Sequence, residues 1–164
     1  AGRMNNAYIF DIDGTLADCS HRLHYILPRT DKIESFEDLD KYAPDWESFY
    51  NECVNDKVIQ PVAYLLNIIQ NSGEEIIFVT GRSDKYMEQT LEWICDKVIH
   101  KNTTILFMRK DGDHREDCVV KKEIYEEDIK PYFNVLGVFE DRTQCVKMWR
   151  ELGLTCYQVA DGDF

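Results

Sequence analysis

Basic residues are scarce in this sequence: 19 lysines and arginines stand against 31 aspartates and glutamates, which gives a net charge of −12. Proteins that bind nucleic acid without regard to sequence rely on lysine and arginine side chains to neutralise phosphates, so this balance argues against that class. A local basic patch remains compatible with the total charge. Part of the acidic excess can also belong to a metal site.

Long apolar runs and closely spaced cysteine pairs are missing as well. No apolar stretch is long enough to cross a bilayer, and the sequence does not open with the charged and then apolar segments of a secretory leader. The six cysteines show no C-x-x-C spacing, and several lie within apolar stretches, which is typical of reduced core residues. We therefore expect a cytoplasmic protein that does not bind a membrane.

Hydrophobic residues make up 44% of the 164 residues and alternate between strand-like and helix-like patterns. Strands are predicted at 6–11, 75–80, 104–108, 135–139 and 155–159. Amphipathic helical segments separate them, so we expect an α/β fold, a Rossmann-like sandwich with about five mostly parallel strands and helices on both faces. The length fits a single domain, 1–164, and the segment at about 20–57 is expected to form a small cap or loop insert.

The first predicted strand ends abruptly in Asp11-Ile12-Asp13-Gly14-Thr15. In an open α/β sheet, ligands bind in the crevice at the carboxyl ends of the strands, where Asp11 and Asp13 would lie. Two carboxylates this close repel each other unless a cation or a shared proton intervenes, and Mg2+, which prefers oxygen ligands, is the simplest remedy. The alternative is that Asp-Ile-Asp-Gly is only a polar turn after a strand.

Polar groups end two other strands and begin one helix of the predicted fold. They are Thr80, Gly81 and Arg82 after the second strand, Glu140 and Asp141 after the fourth, and Lys121 near the start of a helix. In a parallel sheet all carboxyl ends face one edge, so acids, a hydroxyl, backbone amides and a lysine would converge there into a phosphate site. Taken singly, Thr80-Gly81 fits a helix cap and Lys121 fits a solvated charge, but their conjunction at strand ends favours the site.

Four of these motifs, taken in order, resemble those of haloacid dehalogenase (HAD) superfamily phosphatases. They are Asp11-Ile12-Asp13-Gly14-Thr15, Thr80-Gly81, Lys121 and Glu140-Asp141. The resemblance implies a HAD-type fold in which Asp11 is the nucleophile that forms an aspartyl-phosphate. It also implies that Asp13 protonates the leaving alcohol and later activates water, so that one hard step becomes two easier ones.

The same resemblance assigns the remaining catalytic and metal-binding roles. Thr80 would bind phosphoryl oxygens with Gly81 beside it, and Lys121 would hold the phosphate next to the nucleophile. A cation and a lysine are needed because a carboxylate does not easily approach a phosphate dianion. The implied ligands of Mg2+ are Asp11, the backbone carbonyl of Asp13, Asp141 and, close by or through water, Glu140.

The later part of the chain resembles more specifically the 3′-phosphatase domain of phage polynucleotide kinase-phosphatases. The segments that carry this similarity are 107–110, 112–115, 117, 119–121, 140–144, 148–150, 158–160 and 162–164. It implies that Arg22 and Arg82 help to hold the phosphate and that Asp117 orients its neighbours; alternatively, Arg22 is solvated and Asp117 is only a helix cap. Glu140 departs from the family's usual aspartate and the insert at about 23–58 differs, which leaves substrate choice open.

The resemblance implies a Mg2+-dependent phosphomonoesterase that removes 3′-phosphates from DNA or RNA ends in nucleic-acid repair. The loop with Arg109, Lys110 and Arg115 would then meet a nucleic-acid backbone, or it is an ordinary solvated charge run. Two other functions stay open: a small-molecule or nucleotide phosphatase with the insert as its cap, and a non-catalytic phosphate-sensing domain. The aromatic residues that would stack a base in a nucleotide phosphatase, or simply form core, are Tyr25, Trp46, Phe49 and Tyr50.

A kinase half is absent from this sequence, because no G-x-x-x-x-G-K-[ST] segment occurs in it. Two arrangements therefore remain open, a phosphatase domain excised from a larger protein and a free-standing phosphatase. The expected partners are a phosphorylated substrate, most simply the 3′-phosphate end of DNA or RNA, and a kinase domain or kinase chain outside this sequence.

Overall fold

Five parallel strands form the central sheet of the computed structural model, which describes residues 4–27, 35, 43–99 and 103–164. The strands of the chain are β1 (Asn5–Phe10), β2 (Ala17–Asp18), β3 (Lys57–Val58), β4 (Glu75–Ser83), β5 (Ile105–Arg109), β6 (Phe133–Glu140) and β7 (Cys156–Gln158). The sheet has the order β5-β4-β1-β6-β7, and all its pairings are parallel. The predicted α/β class with a mostly parallel sheet of about five strands is thus confirmed.

Helices cover both faces of this sheet. They are α1 (Trp46–Asn51), α2 (Gln60–Asn71), α3 (Met87–Lys97), α4 (Asp117–Ile124) and α5 (Thr143–Glu151), together with 3₁₀ turns at Ser20–Tyr25, Glu52–Asn55 and Asp84–Tyr86 and a π-helical turn at Tyr125–Ile129. Apolar side chains of α4 and α5 pack on one face, and those of α2 and α3 pack on the other. Within the described ranges, no helix combines the length and the apolar character that crossing a membrane requires.

The central strand β1 is buried from both sides, which fixes the position of its carboxyl end. Ile9 belongs to the core cluster that contains Trp149, whereas Phe10 belongs to the opposite cluster with Leu66 and Trp93. Successive side chains of a strand point to opposite faces, so neighbouring residues enter different cores. Each fully buried side chain of this size stabilises the fold by about 1.5–3 kcal/mol. The residues that directly follow β1 are therefore attached to a firmly packed strand.

Helix ends follow the local chemistry of the sequence. The side chain of Asp45 accepts a hydrogen bond from the Ser48 amide and caps α1, while Pro61 lies in the first turn of α2. Gly73 follows α2 with a φ of +91°, in the left-handed region that favours glycine. Asp117 is not the cap of α4: it is the first helical residue, and Glu116 occupies the cap position.

The predicted insert at about 20–57 is described at 20–27, 35 and 43–57. Its two ends are joined by an antiparallel ribbon, in which Ala17 of β2 lies opposite Val58 of β3. The 3₁₀ turn and α1 pack together within this part of the insert. Residues 28–34 and 36–42 of the predicted insert lie outside the described residues, and the division into one domain with a cap stays a prediction.

Candidate active site

The acids that follow β1 lie in a tight turn at the carboxyl edge of the sheet. The Asp11 amide donates to the Phe139 carbonyl at 3.0 Å, which extends the β1–β6 pairing by one residue. Thr15 Oγ1 donates to Asp11 Oδ2 at 3.0 Å, and the same hydroxyl lies 3.3 Å from Asp141 Oδ1. Gly14 has a φ of +82°, and a Cβ at this position would collide with the Asp141 carboxylate. The turn therefore needs glycine both for its backbone and for the approach of Asp141.

Lys121 reaches this edge from α4 and is buried among acids. Its Nζ donates to Asp11 Oδ1 at 2.9 Å and to Glu140 Oε1 at 2.8 Å, and it lies 3.3 Å from Asp117 Oδ2. Burial opposes the charged form, but Asp11, Glu140 and Asp117 outweigh it and raise the pKa of Lys121 well above its usual range. Lys121 is therefore a fixed positive charge beside the Asp11 carboxylate.

Three buried carboxylates, those of Asp11, Glu140 and Asp141, each place an oxygen within 4.8 Å of the others. Burial and the charge of Glu140 raise the pKa of Asp11 to about 8, and burial and the charge of Asp11 raise the pKa of Asp141 to about 7. One lysine thus only partly balances three acids. Oxygen ligands with excess negative charge suit a hard divalent cation, so this group can hold one.

Asp13 has a different environment from Asp11, because two buried arginines hold it. Its Oδ1 accepts from Nη2 of Arg22 and from Nη2 of Arg82, each at 2.6 Å, and its Oδ2 accepts from Arg82 Nε at 2.9 Å. Burial alone would raise the pKa of Asp13, but Arg82 and Arg22 hold it well below its usual range. The predicted acid–base residue is therefore a carboxylate in the free protein, and its side chain faces the arginines rather than the three-acid group.

Asp56 anchors the same arginines and was missed by sequence reasoning. It is fully buried, and it accepts from Arg22 Nε and Nη2, both at 2.8 Å. Nη2 of Arg82 lies 3.6 Å from it, and Nε2 of His21 lies 2.7 Å from it. Nothing in the sequence around Asp56 distinguishes it from other acids, and only the expectation that Arg22 holds phosphate could have prompted a search for its partner.

The predicted phosphate-binding residues of β4 are part of the strand, which continues to Ser83 instead of ending at Thr80. Thr80 is buried, and its Oγ1 accepts from the Arg82 amide at 3.1 Å. A Cβ on Gly81 would collide with the carboxylate of Asp117. Glycine at this position therefore allows the Asp117 carboxylate, at the start of α4, to lie directly against β4.

Asp117 lies among three cations at the start of α4. Besides Lys121, the guanidinium groups of Arg109 and Arg142 each lie 3.7 Å from its carboxylate. Burial would raise the pKa of Asp117, but the charge of Lys121 together with a hydrogen bond from Cys145 lowers it. Its Oδ1 is buried without a hydrogen-bond partner among the described residues. Asp117 thus lies where it can orient Lys121, the neighbour role that the resemblance implies.

The basic loop after β5 is turned inward in large part. Arg109 donates to the carbonyl oxygens of Gly81, Asp113 and Arg115 at 2.7, 3.1 and 2.5 Å. Arg115 pairs with Asp113 at 2.7 Å and with Glu123 at 2.6 Å. Arg115 is exposed at the surface, as the alternative of a solvated charge run implies, whereas Arg109 is turned inward and fits neither interpretation.

The fold and the edge of the sheet together define a class. A parallel α/β sandwich brings an aspartate pair, a threonine, a buried lysine and a second acidic pair to one edge, which is the arrangement of a HAD-type phosphatase, a hydrolase. Comparison with known proteins specifies the family: the model of the polynucleotide kinase PNKP phosphatase domain matches residues 44–164. The chain belongs to this family.

Relatives agree with this assignment. The chain is 31% identical over 150 residues to a protein of Autographa californica nuclear polyhedrosis virus described as a bifunctional polynucleotide kinase/RNA ligase, a match that covers 92% of this chain and 18% of the viral protein. It is 32% identical to a chain in the structure of a Pnkp1/Rnl/Hen1 complex, with a TM-score of 0.74 and coverage of 98% and 47%. The class C acid phosphatase of Bacillus anthracis, at 14% identity, a TM-score of 0.59 and coverage of 85% and 53%, shares the fold alone.

Proposed function

We propose that this chain is a Mg2+-dependent phosphomonoesterase that removes 3′-phosphates from DNA or RNA ends through an aspartyl-phosphate on Asp11, and that it acts in nucleic-acid repair in the cytoplasm. The observation that carries the proposal is the buried contact of Lys121 with Asp11 and Glu140, next to Asp141. The choice of a polynucleotide substrate is supported by membership in the PNKP phosphatase family and by the similarity to a protein described as a polynucleotide kinase/RNA ligase.

The three-acid group fits Mg2+ on the chemistry of its donors. Asp11, Glu140 and Asp141 supply only oxygen atoms, and the raised pKa values of Asp11 and Asp141 reflect negative charge that Lys121 does not fully balance. When bound, Mg2+ would supply positive charge that weakens the repulsion between the Asp11 carboxylate and a phosphate dianion. The backbone carbonyl of Asp13 stays a predicted further ligand.

In the first step, a carboxylate oxygen of Asp11 attacks phosphorus and the bond from phosphorus to the substrate's ester oxygen breaks. Lys121 keeps Asp11 oriented and offsets charge on the phosphoryl oxygens, and Thr80 is the predicted hydroxyl donor to one of them. Asp13 gives its proton to the departing oxygen, which leaves as an alcohol. The product of this step is an acyl-phosphate on Asp11.

In the second step, water attacks the same phosphorus atom, Asp13 takes a proton from that water, and the bond between Asp11 and phosphorus breaks. Asp13 can accept this proton because it gave up its own in the first step, although the ion pairs with Arg22 and Arg82 make its carboxylate a weaker base. Donation in the first step needs a protonated Asp13. We infer that an incoming phosphate draws guanidinium groups away from Asp13 and so relaxes the lowered pKa.

The test is a substrate panel with Mg2+ that contains matched DNA and RNA oligonucleotides with a 3′- or a 5′-phosphate, together with nucleoside monophosphates. We expect the 3′-phosphorylated oligonucleotides to have the highest kcat/KM, and the Asp11→Asn variant, with nearly the same shape, to release no phosphate. A clear preference for 5′-phosphates would overturn the positional assignment.

A second candidate is a phosphatase of free nucleotides. It is favoured by the net charge of −12, by the inward orientation of Arg109 and by the pairing of Arg115 with Asp113 and Glu123, which leave little unpaired positive charge on this loop for a polynucleotide. A higher kcat/KM for nucleoside monophosphates than for oligonucleotides in the same panel would select this function.

A kinase partner is a separate proposal. The chain spans 18% of the viral relative and 47% of a chain in the Pnkp1/Rnl/Hen1 complex. We propose that a kinase domain or chain works with this phosphatase on the same nucleic-acid ends. Co-purification of a kinase activity with the native protein would test this.

A further inference from the structure

Three aromatic rings stack in a row beside the candidate active site. The rings of Trp46 and Tyr50 have centroids 6.0 Å apart at an interplanar angle of 22°, and those of Tyr50 and Tyr86 are 5.0 Å apart at 29°. Phe49 meets Trp46 and Tyr50 edge-on, at 88° and 73°. We call Trp46, Tyr50 and Tyr86 the aromatic row.

The aromatic row is connected to both arginines that hold Asp13. The Arg22 guanidinium lies over the Phe49 ring at 4.2 Å and donates to the Phe49 carbonyl at 3.2 Å. At the other end, the Thr90 hydroxyl accepts from Arg82 Nη1 at 3.2 Å and donates to the Tyr86 carbonyl at 2.8 Å. The rings therefore have a defined place next to the groups predicted to hold the phosphate.

Exposure increases along the aromatic row towards solvent. Tyr86 is 7% exposed, Tyr50 is half-buried, and Trp46 is 49% exposed. Burial, with the charge of Asp13, raises the pKa of Tyr50 to about 12, so its hydroxyl stays a neutral donor near the acid. A core role accounts for Tyr86 and Phe49, but it leaves half of the Trp46 surface in water.

We propose that the exposed face of Trp46, supported by Tyr50 and Tyr86, is a stacking subsite for the nucleobase of the nucleotide whose phosphate is removed. This inference rests on the proposed function. A phosphate held near Arg22 and Arg82 carries its nucleobase one sugar away, and the aromatic row adjoins Phe49 and Thr90, the residues that contact these arginines. Stacking needs no positive charge, so it supplies affinity that a chain with a net charge of −12 does not obtain from a basic surface.

Tryptophan fluorescence offers a direct binding test. The chain has three tryptophans, and Trp93 and Trp149 are each 1% exposed, so Trp46 is the tryptophan on which a nucleobase can stack. In the Asp11→Asn variant we expect quenching by 3′-phosphorylated oligonucleotides and by nucleoside 3′-monophosphates, and none by glycerol 2-phosphate, which has no base. Comparison of the first two ligands distinguishes a polynucleotide end from a free nucleotide as the source of the base.

Kinetics test the consequence for turnover. Trp46→Ala is expected to lower kcat/KM for base-bearing substrates by on the order of tenfold, the range of a lost base–aromatic stack. It should leave glycerol 2-phosphate hydrolysis unchanged, and Trp46→Phe, which keeps an aromatic face, should restore most of the activity. Tyr64→Ala removes an exposed ring from α2, outside the aromatic row, and should change the hydrolysis of neither substrate.

The outcomes separate this inference from the function on which it rests. If wild-type protein hydrolyses nucleotide 3′-phosphates and Trp46→Ala does so equally well, the stacking subsite is wrong and the proposed function stands. Equal losses on base-bearing and base-free substrates would show a structural role for Trp46 and also overturn the subsite. If the wild type hydrolyses only glycerol 2-phosphate, the proposed function and the subsite both fail.

Discussion

At the scale of single residues, the site depends on buried charges that balance one another. Lys121 is surrounded by acids, and Asp13 is surrounded by cations, so each charge is stable only because its partners are present. Removing one partner of a buried pair costs more than removing both, because the remaining charge has neither water nor a counter-ion. Asp56 is the second acid, besides Asp13, that lies close to both arginines.

Asp56→Asn is expected to destabilise the protein and to impair catalysis. The change leaves the Arg22 guanidinium without its bidentate carboxylate, and we expect the free energy of unfolding to fall by about 3 kcal/mol. We also expect a lower kcat/KM, because Arg22 is no longer held in place. Urea denaturation and a phosphatase assay measure the two effects, with Asp128→Asn, a change at an exposed acid, as the control. Unchanged stability in Asp56→Asn would contradict the buried pair.

Metal-free protein is expected to lose stability as the pH rises between the ordinary pKa of Asp11, 3.8, and its raised value of about 8. In this window the folded state binds more protons than the unfolded state, so the free energy of unfolding falls with rising pH. Asp141 contributes in the same direction up to about 7. The check is the thermal midpoint in chelator across a pH series.

The Asp11→Asn variant and the addition of Mg2+ make the pH test more specific. Asp11→Asn should flatten the pH profile in chelator, and Mg2+ should raise the midpoint most at the upper end of the window, where the carboxylates are ionised. A midpoint in chelator that climbs steadily from acid to neutral pH would contradict the prediction.

At the scale of elements, the turn after β1 and the strand β4 place the reactive groups. The turn closes through three amides, those of Thr15, Leu16 and Ala17, that donate to the Ile12 carbonyl. β4 runs three residues beyond its predicted end, so Arg82 is a strand residue and not part of a following helix. From this position its side chain contacts Asp13. The pattern of apolar residues ends at Thr80, and it is the pairing with β5 that extends the strand.

Gly14→Ala is expected to lower both stability and activity. The new Cβ would collide with the Asp141 carboxylate and push it out of the three-acid group, in addition to the strain of a side chain at a φ of +82°. Gly73→Ala is a matched control, because Gly73 has a φ of +91° but a Cβ there meets no atom within 4 Å.

Comparison of the two glycine variants should distinguish the effect of backbone strain from the effect of displacing the Asp141 carboxylate. We expect Gly73→Ala to cost about 1 kcal/mol and to keep full activity, since only backbone strain is added. Gly14→Ala should in addition weaken Mg2+ binding, measured by calorimetry. Equal Mg2+ affinity and activity in the two variants would show that Asp141 does not depend on Gly14.

At the scale of the whole molecule, the acidic surface limits how a nucleic acid can bind. With a net charge of −12, and with Arg109 and Arg115 engaged by partners within the protein, the dense group of cations among the described residues is Arg22 and Arg82, beside the candidate active site. Recognition should therefore be confined to the end of the strand.

The dependence of kcat/KM on salt concentration and on oligonucleotide length tests whether recognition is confined to the end of the strand. Because few phosphates are neutralised, kcat/KM for a 3′-phosphorylated oligonucleotide should fall less than about tenfold between about 50 and 200 mM salt. It should also change little when nucleotides are added at the far end. A steep decline with salt, together with a gain from length, would reveal a phosphate track elsewhere on the surface.

The alternation of strands and helices and the acids that follow the strands could be predicted from the sequence, because they depend on local periodicity and on residues adjacent in the chain. The convergence of Asp11, Thr80, Lys121 and Asp141 followed from the geometry of a parallel sheet, and the structure brings these residues together at one edge. Their catalytic roles stay predictions until variants are measured.

Pairing of side chains, in contrast, depended on the folded structure. Asp56 contacts Arg22 across 34 residues of sequence, and Arg82 contacts Asp13 across 69. No local sequence pattern therefore predicts either contact. The same holds for the inward orientation of Arg109, because the sequence alone does not tell an arginine that faces water from one that donates to neighbouring carbonyl oxygens. A buried charge is costly unless it is paired, so these distant pairs form together with the packing that brings their partners side by side.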